Sequence, residues 1–368
     1  MKKILILGVS AVQYDAIKTL NELGYETYAI AMKKDGPGAE IAKHFEEINI
    51  LDYSSVKKYI EENNISVVYS TGSDLAIPVA MKLSEELGLP HFVSEETARI
   101  CNNKDLMRQT LGENFEGNIP FQIFRQIDEK IKLEFPFILK PTDSQGQRGV
   151  AIVNSFSEFK NHFEIAKKYS RSGLVIGEKY IQGPEISVNG YVIDGDVKFL
   201  KASDRITWEK YVGLIHKHVI PSKALDNIST KKLQSIMNNL VKKLNILNGP
   251  IYAQVKVEEN QPYIIEVTPR LDGCHMWKVL EKSNGINLMR LTFQHLVERD
   301  YSEIENINNE TKAVTLEFIC QEPNTGANYD NYDYQIQLAD ESYMYYQQGE
   351  TIRPVNGKYE KIGYMIYI

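Results

Sequence analysis

Short apolar runs alternating with helix-period segments dominate the first hundred positions. Residues 3–7 read as a buried strand that Gly8 breaks, after which Val12, Ala16, Leu20 and Leu23 recur at helical spacing. Residues 26–31 predict the next strand, 54–62 a helix, 67–70 a strand, and 75–87 a helix closed by Gly88 and Pro90. Strands and helices alternating through short connections predict an open parallel sheet.

The texture then changes. Residues 95–111 are helical, and a linker with Gly and Asn covers 112–118. Residues 135–140 predict a strand, followed by a polar Gly-containing loop, a strand at 150–153, a helix at 157–169 and a strand at 174–181. Hairpin patterns follow at 185–192 and 197–202, around Asp194-Gly195, and at 252–257 and 263–267. Helices are expected at 229–244 and 287–297, and the last fifty residues are strand-rich and full of Tyr, with turns at 324–326 and Asn356-Gly357. The expected class is α/β at the N-terminus and α+β beyond it. The expected divisions are 1–94, 95–134, 135–184, 185–300 and 301–368. No internal repeat or low-complexity segment interrupts the pattern.

A length of 368 residues implies two or three domains rather than one core. A net charge of -7 with no basic tract excludes the electrostatic footprint of a nucleic-acid binder, although a local Lys/Arg cluster still suits nucleotide phosphates. Cys101, Cys274 and Cys320 are too scattered for a disulfide framework or a zinc spacing. The apolar start is too short for a signal peptide, and no run approaches the roughly 18 apolar residues of a membrane span. The expectation is a soluble cytoplasmic protein with no membrane partner.

Three segments carry candidate chemistry. In the hairpin 252–270, side chains two apart share a face, so Gln254 and Lys256 point one way, as do Glu266, Thr268 and Arg270. If the hairpin is symmetric about Asn260, Gln254 lies opposite Glu266. Oxygen ligands so arranged suit Mg²⁺, and Arg270 is placed to grip a carboxylate or phosphate. A solvated face with a Glu–Lys cross-strand pair is the bland alternative. Lys140 ends a buried strand before Thr142–Gly149, where Gly146 and Gly149 permit backbone N–H groups to face an anion and Arg148 adds charge. It is not a P-loop, since GxxxxGK[ST] occurs nowhere. The segment 178–185 can offer backbone to an adenine edge and Glu185 to ribose hydroxyls. His216-Lys217-His218 has metal-like spacing but reads better as strand surface. The first turn, Gly8-Val9-Ser10-Ala11-Val12-Gln13, has one glycine where a dinucleotide fingerprint has three, and no acid ends 26–31; both argue against a nicotinamide cofactor.

In combination and in order, these segments resemble the ATP-grasp superfamily, most of all the branch with carbamoyl-phosphate synthetase, biotin carboxylase and the bacterial amino-acid ligases. The resemblance rests on the lid lysine, the Gly loop and Glu266-Val267-Thr268-Pro269-Arg270, and it runs through nearly the whole chain. It implies an ATP-grasp fold: a Rossmann-like domain at 1–94, a central helix and linker, a lid at 135–184, a metal-bearing subdomain at 185–300 and a strand-rich accessory region. It further implies that Lys104 and Lys140 touch ATP phosphates and that Ser144, Gly146, Arg148 and Gly149 close over them. Glu178, Tyr180 and Ile181 would meet adenine, and Glu185 the ribose. Gln254, Glu266 and Thr268 would hold Mg²⁺, with Mn²⁺ as the alternative ion, and Arg270 the substrate or the transferred phosphoryl. Thr268 departs from the family's Asn, and Gln254 is a neutral ligand.

The implied activity is ATP-dependent joining of a small carboxylate to an amine through an acyl phosphate, with a purine-pathway ligase or a non-catalytic ATP-binding regulator as alternatives. The stretch from Leu271 to Trp277 would line the acceptor pocket, with Asp272 and Gly273 on the amine and His275 as base or as packing. The C-terminal strands would cap the cleft or contact a second copy in a homodimer.

Overall fold

The computed structural model describes residues 1–144, 148–211, 213–307, 310–355 and 357–368. Among these residues the strands form three sheets. The first holds β1 (Lys3–Leu7), β2 (Glu26–Ala31), β3 (His44–Glu47) and β4 (Val67–Tyr69) in the order β3-β2-β1-β4, all parallel. Between them run α1 (Ala11–Glu22), α2 (Gly38–Ile41) and α3 (Tyr53–Asn63), and α4 (Ala76–Leu87) follows. Ile4, Leu5, Ile6 and Leu7 are fully buried, as a central parallel strand requires. The short α2 and β3 escape the sequence pattern because four residues carry too little periodicity.

The stretch expected as one helix is two, α5 (Glu95–Asn102) and α6 (Lys104–Leu111). Asn103 between them is extended, at φ -120° and ψ 115°, and its side chain donates to the Arg99 carbonyl at 2.7 Å. Asn readily takes up such local bonds in place of helix bonds. The break turns Lys104 into the first residue of α6, and its backbone N–H donates to the Thr142 carbonyl at 2.9 Å.

The second sheet joins β5 (Phe121–Phe124), β6 (Phe137–Pro141), β7 (Ala151–Val153) and β8 (Val175–Lys179) in the order β5-β8-β6-β7, with α7 (Phe156–Tyr169) packed on it. It has its own aromatic core of Phe124, Phe137, Phe159 and Phe163. The third sheet is antiparallel with eight strands, β13-β12-β9-β10-β11-β14-β16-β15. They are β9 (Glu185–Ile193), β10 (Asp196–Thr207), β11 (Ile215–Ile220), β12 (Gly249–Glu258), β13 (Gln261–Thr268), β14 (Val314–Gln321), β15 (Glu341–Met344) and β16 (Glu360–Tyr367). The helices α8 (Asn227–Lys243), α9 (Met276–Asn284), α10 (Leu288–Glu298) and α11 (Asp333–Leu338) complete the chain, and α8 packs on β10 and β13. The C-terminal strands thus extend the same sheet that carries the 252–268 hairpin. Of the expected turns, Asp194 and Gly195 both adopt positive φ, as does Asn324; Asn356 lies outside the described residues. Among the described residues no helix is long and apolar enough to cross a membrane.

Candidate active site

The large sheet alternates strictly on β9 and β12. Ile186, Val188, Ala253, Val255 and Val257 are buried on one face. The other face is polar. Antiparallel pairing aligns Ser187 with Ser203 and Gln254, Asn189 with Tyr252, Glu185 with Lys256, Tyr252 with Thr268, and Arg205 with His218. A patch spanning five strands therefore presents carboxylate, amide, hydroxyl, imidazole and guanidinium groups together.

Gln254 does face Glu266, but not through symmetry about Asn260. The tight turn is Glu259-Asn260, both at positive φ, which pairs Glu258 with Gln261 and Val255 with Ile264. A bulge at Ile265 then inserts one residue and brings Glu266 opposite Gln254. The bulged Ile265 carbonyl accepts a hydrogen bond from Arg108 Nη2 at 3.0 Å. Gln254 Nε2 donates to Glu185 Oε1 at 2.6 Å, and Arg205 Nη1 pairs with the same oxygen. Glu185, expected on a ribose, is thus bonded to Gln254 and Arg205. The amide nitrogen being used there, the carbonyl of Gln254, the Glu266 carboxylate and the Thr268 hydroxyl form an all-oxygen donor set, which fits a hard cation such as Mg²⁺.

Lys140 sits at the end of β6, 5% exposed. Its ammonium lies 2.6 Å from Glu178 on the adjacent β8, and Arg108 Nε meets the other Glu178 oxygen at 3.0 Å. Arg108, fully buried on α6, also donates to Asn118 Oδ1 at 3.1 Å. Burial pushes the Glu178 carboxyl up, but Arg108 and Lys140 outweigh it and hold it down at about 2. Burial lowers the Lys140 ammonium, and Glu178 only partly restores it. Glu178 and Lys140, assigned by sequence to adenine and phosphates, are here each other's partners.

Lys104 Nζ donates to the Ser144 carbonyl at 3.1 Å, so the expected phosphate lysine and the start of the Gly loop meet. Arg148 is exposed and Gly149 adopts φ +71°; Gly146 lies outside the described residues. Ile181 is buried, and its carbonyl accepts from Lys256 Nζ at 3.2 Å, while Lys256 lies 5.5 Å from the Tyr180 ring. Gly183 follows at φ +111°, so close to β12 that a Cβ there would stand 2.1 Å from the Val257 carbonyl oxygen.

After β13 the chain turns under the parallel-sheet unit. Arg270, 5% exposed, donates from Nε to Asp74 Oδ1 at 2.8 Å and from Nη1 to the Leu271 carbonyl at 2.9 Å, and packs 5.5 Å from the Tyr252 ring. Burial alone would lower its pKa; Asp74 more than offsets this. Gly72 and Gly273 touch backbone to backbone, and a Cβ on Gly72 would stand 2.8 Å from the Gly273 Cα. Asp272 is 3% exposed with one oxygen, Oδ2, lacking a hydrogen-bond partner.

His275, left open as base or packing, has both ring nitrogens engaged. Nδ1 meets Asp15 at 2.8 Å and Nε2 meets the Tyr345 hydroxyl at 2.7 Å, in a residue 1% exposed. It clamps α1, the loop before α9 and the C-terminal strands together. The surface reading of 216–218 holds only in part: His216 is half-buried against Glu317, but His218 is fully buried on the polar face. Arg205, Arg108 and Asp74 are residues here that sequence reasoning missed, and none carried a local signal; His218 was singled out by its metal-like spacing with His216 but read as strand surface.

A parallel-sheet unit, a small antiparallel sheet with a buried lysine and a large sheet with an oxygen-lined polar face together define the ATP-grasp architecture. Residues 133–277 match the model of the ATP-grasp domain. Over that stretch the chain is similar to the ATP-grasp domain. It is 20% identical over 332 residues to the carbamoyl phosphate synthase large chain of Pseudothermotoga lettingae, covering 82% of this chain and 29% of that one. Its fold matches an L-amino acid ligase from Bacillus licheniformis at TM-score 0.83 and 20% identity, covering 100% of this chain and 93% of the other. It also matches the biotin carboxylase domain of a Hydrogenobacter thermophilus 2-oxoglutarate carboxylase, solved as a dimer with MgADP and bicarbonate, at TM-score 0.82 and 16% identity over 99% and 85% of the two chains. The chain spans less than half the length of the curated relatives it matches.

Proposed function

We propose that this chain joins a small carboxylate to an amine at the expense of ATP. The observation that carries the reading is the bulged hairpin, which sets Gln254 against Glu266 with Thr268 next along the same strand and Arg270 just past its end. In this reading a substrate carboxylate oxygen attacks the γ-phosphorus and ADP leaves. The amine then attacks the acyl carbon, phosphate leaves and the nitrogen sheds a proton. Phosphoryl transfer of this kind needs positioning and charge neutralisation more than a protein nucleophile.

Gln254, Glu266 and Thr268 would hold Mg²⁺ or Mn²⁺, which when bound neutralises phosphate charge. Lys104, Lys140, Ser144, Arg148, Gly149 and Gly146 would cradle the phosphates. Lys140 leaves Glu178 to do so, and Arg108 keeps that carboxylate compensated. Tyr180 and Ile181 would border adenine, with Glu185 orienting Gln254. Arg270, fixed by Asp74, would hold the substrate carboxylate. The MgADP complex of the carboxylase relative supports the nucleotide assignment.

The test is phosphate release from ATP with a panel of carboxylates and amines, including amino acids, and its loss in a folded Glu266→Gln variant. Full turnover in that variant would overturn the metal assignment. ATP binding with no release for any pair would point to a regulator instead.

A further inference from the structure

Beside the Arg270 loop lie three buried side chains, two of which, His218 and Cys274, have no part in this chemistry, while the third, Asp272, was expected on the amine. A ring nitrogen of His218, an Asp272 carboxylate oxygen and Cys274 Sγ all lie within 4.8 Å of one another, and all three residues are buried. Two of the three donors are orphans: His218 Nε2 and Asp272 Oδ2 have no hydrogen-bond partner, in residues 0% and 3% exposed. A buried, unmade hydrogen bond of that sort costs about 1–3 kcal/mol, so two in one buried cluster mark a place where something else binds.

We propose that His218, Asp272 and Cys274 form a transition-metal site of the Zn²⁺ class, separate from the Mg²⁺ ligands on β12 and β13. One nitrogen, one oxygen and one sulfur donor make a borderline-soft set that Zn²⁺ accepts and Mg²⁺ does not. Ligands at ordinary zinc distances stand roughly 3.3–3.8 Å apart, so the side chains close by about an ångström on binding. The His218 ring is already oriented, because Nδ1 meets Ser203 Oγ at 3.1 Å and leaves Nε2 as the ligand atom. Burial, then Arg205 and Lys361, drive the imidazole well below its usual pKa and keep it neutral, the form that ligates.

The cations nearby do not forbid the ion. Arg205 is paired with Glu185, and Lys361 Nζ donates to Cys274 Sγ at 3.3 Å, a bond that strengthens when the sulfur becomes a thiolate. Binding forms the metal–sulfur bond, breaks S–H and releases that proton to solvent. Burial holds the Cys274 thiol up at about 11, so affinity rises with pH. Three protein ligands leave a fourth position for water or a substrate atom. The bound ion would pin the 270–275 loop to β11.

Reduced full-length protein titrated with Co²⁺ tests this. One equivalent is expected to give a sulfur-to-cobalt charge-transfer band and tetrahedral visible bands, both abolished by Zn²⁺. The charge-transfer band should vanish in Cys274→Ser, the visible bands should change in His218→Gln, and both should persist in Glu266→Gln. X-ray absorption of the zinc-loaded wild type, expecting one sulfur among the ligands, needs no variant to fold. No sulfur band in the wild type, or a band surviving in Cys274→Ser, overturns the site. The spectrum is independent of turnover, so it separates this proposal from the ligase assignment.

Discussion

Replacing Glu178 by Gln leaves Arg108 and Lys140 facing each other across a neutral amide. Their side chains are 0% and 7% exposed and Glu178 is 3% exposed, so water cannot take over. Removing one member of a buried ion group costs about 3–5 kcal/mol, because a charge stays buried uncompensated. Arg108 keeps its bonds to Asn118 and the Ile265 carbonyl, so the strain falls on Lys140. The loss should appear locally, in the small sheet with its own core. Hydrogen exchange of the 137–141 and 175–179 amides, read by mass spectrometry, should quicken roughly a hundredfold or more.

The pH dependence gives a second handle. The Lys140 pKa is already lowered in the wild type, mainly by burial, and Glu178→Gln lowers it further. The unfolded chain then binds more protons than the folded one up to the ordinary lysine range, so the variant's deficit should shrink as pH rises from 7 toward about 10. In the wild type the sign on Glu178 is opposite: its carboxyl is held down at about 2, so its contribution is full above the ordinary carboxylate range and lost as pH falls toward 2. Exchange within threefold of wild type, or a deficit that ignores pH, would refute the three-way network.

Gly183→Ala should destabilise by about 2 kcal/mol or more, since φ is +111° and the Cβ would lie 2.1 Å from the Val257 oxygen; a thermal melt checks it, and an unchanged melt would show that β12 yields freely. His275→Gln should lower the melting temperature through the lost Asp15 and Tyr345 bonds yet leave the shape of the pH–rate profile intact. A vanished alkaline or acid limb in that variant would restore His275 as a base.

What could be read from sequence was what repeats at short range. The parallel unit, the hairpins and the order of β12 and β13 follow from alternation and turn residues a few positions apart. The Gln254–Glu266 pairing was also legible, though its route was not, because a bulge leaves no mark in a period-2 pattern. The split at Asn103 was hidden because both halves keep helical spacing. The site's ion pairs were out of reach for a simpler reason. Arg108 meets Glu178 across 70 positions, Arg270 meets Asp74 across 196 and His275 meets Asp15 across 260, and no local rule links residues so far apart.

The continuous large sheet dictates an order of assembly. The parallel sheet closes within residues 3–69 and the small sheet within 121–179, so each can form as soon as its own segment is made. The full large sheet cannot, because β11 pairs with β14 through Lys217 and Glu317, and β14 in turn with β16 through Thr315 and Tyr367. Until those last strands arrive, β11 is an open edge carrying His218, a surface apt to recruit a neighbouring chain. Such non-local pairing is slow to form, so the β11–β14–β16 end of this sheet is the last part of it to mature and the most exposed to misassembly during synthesis.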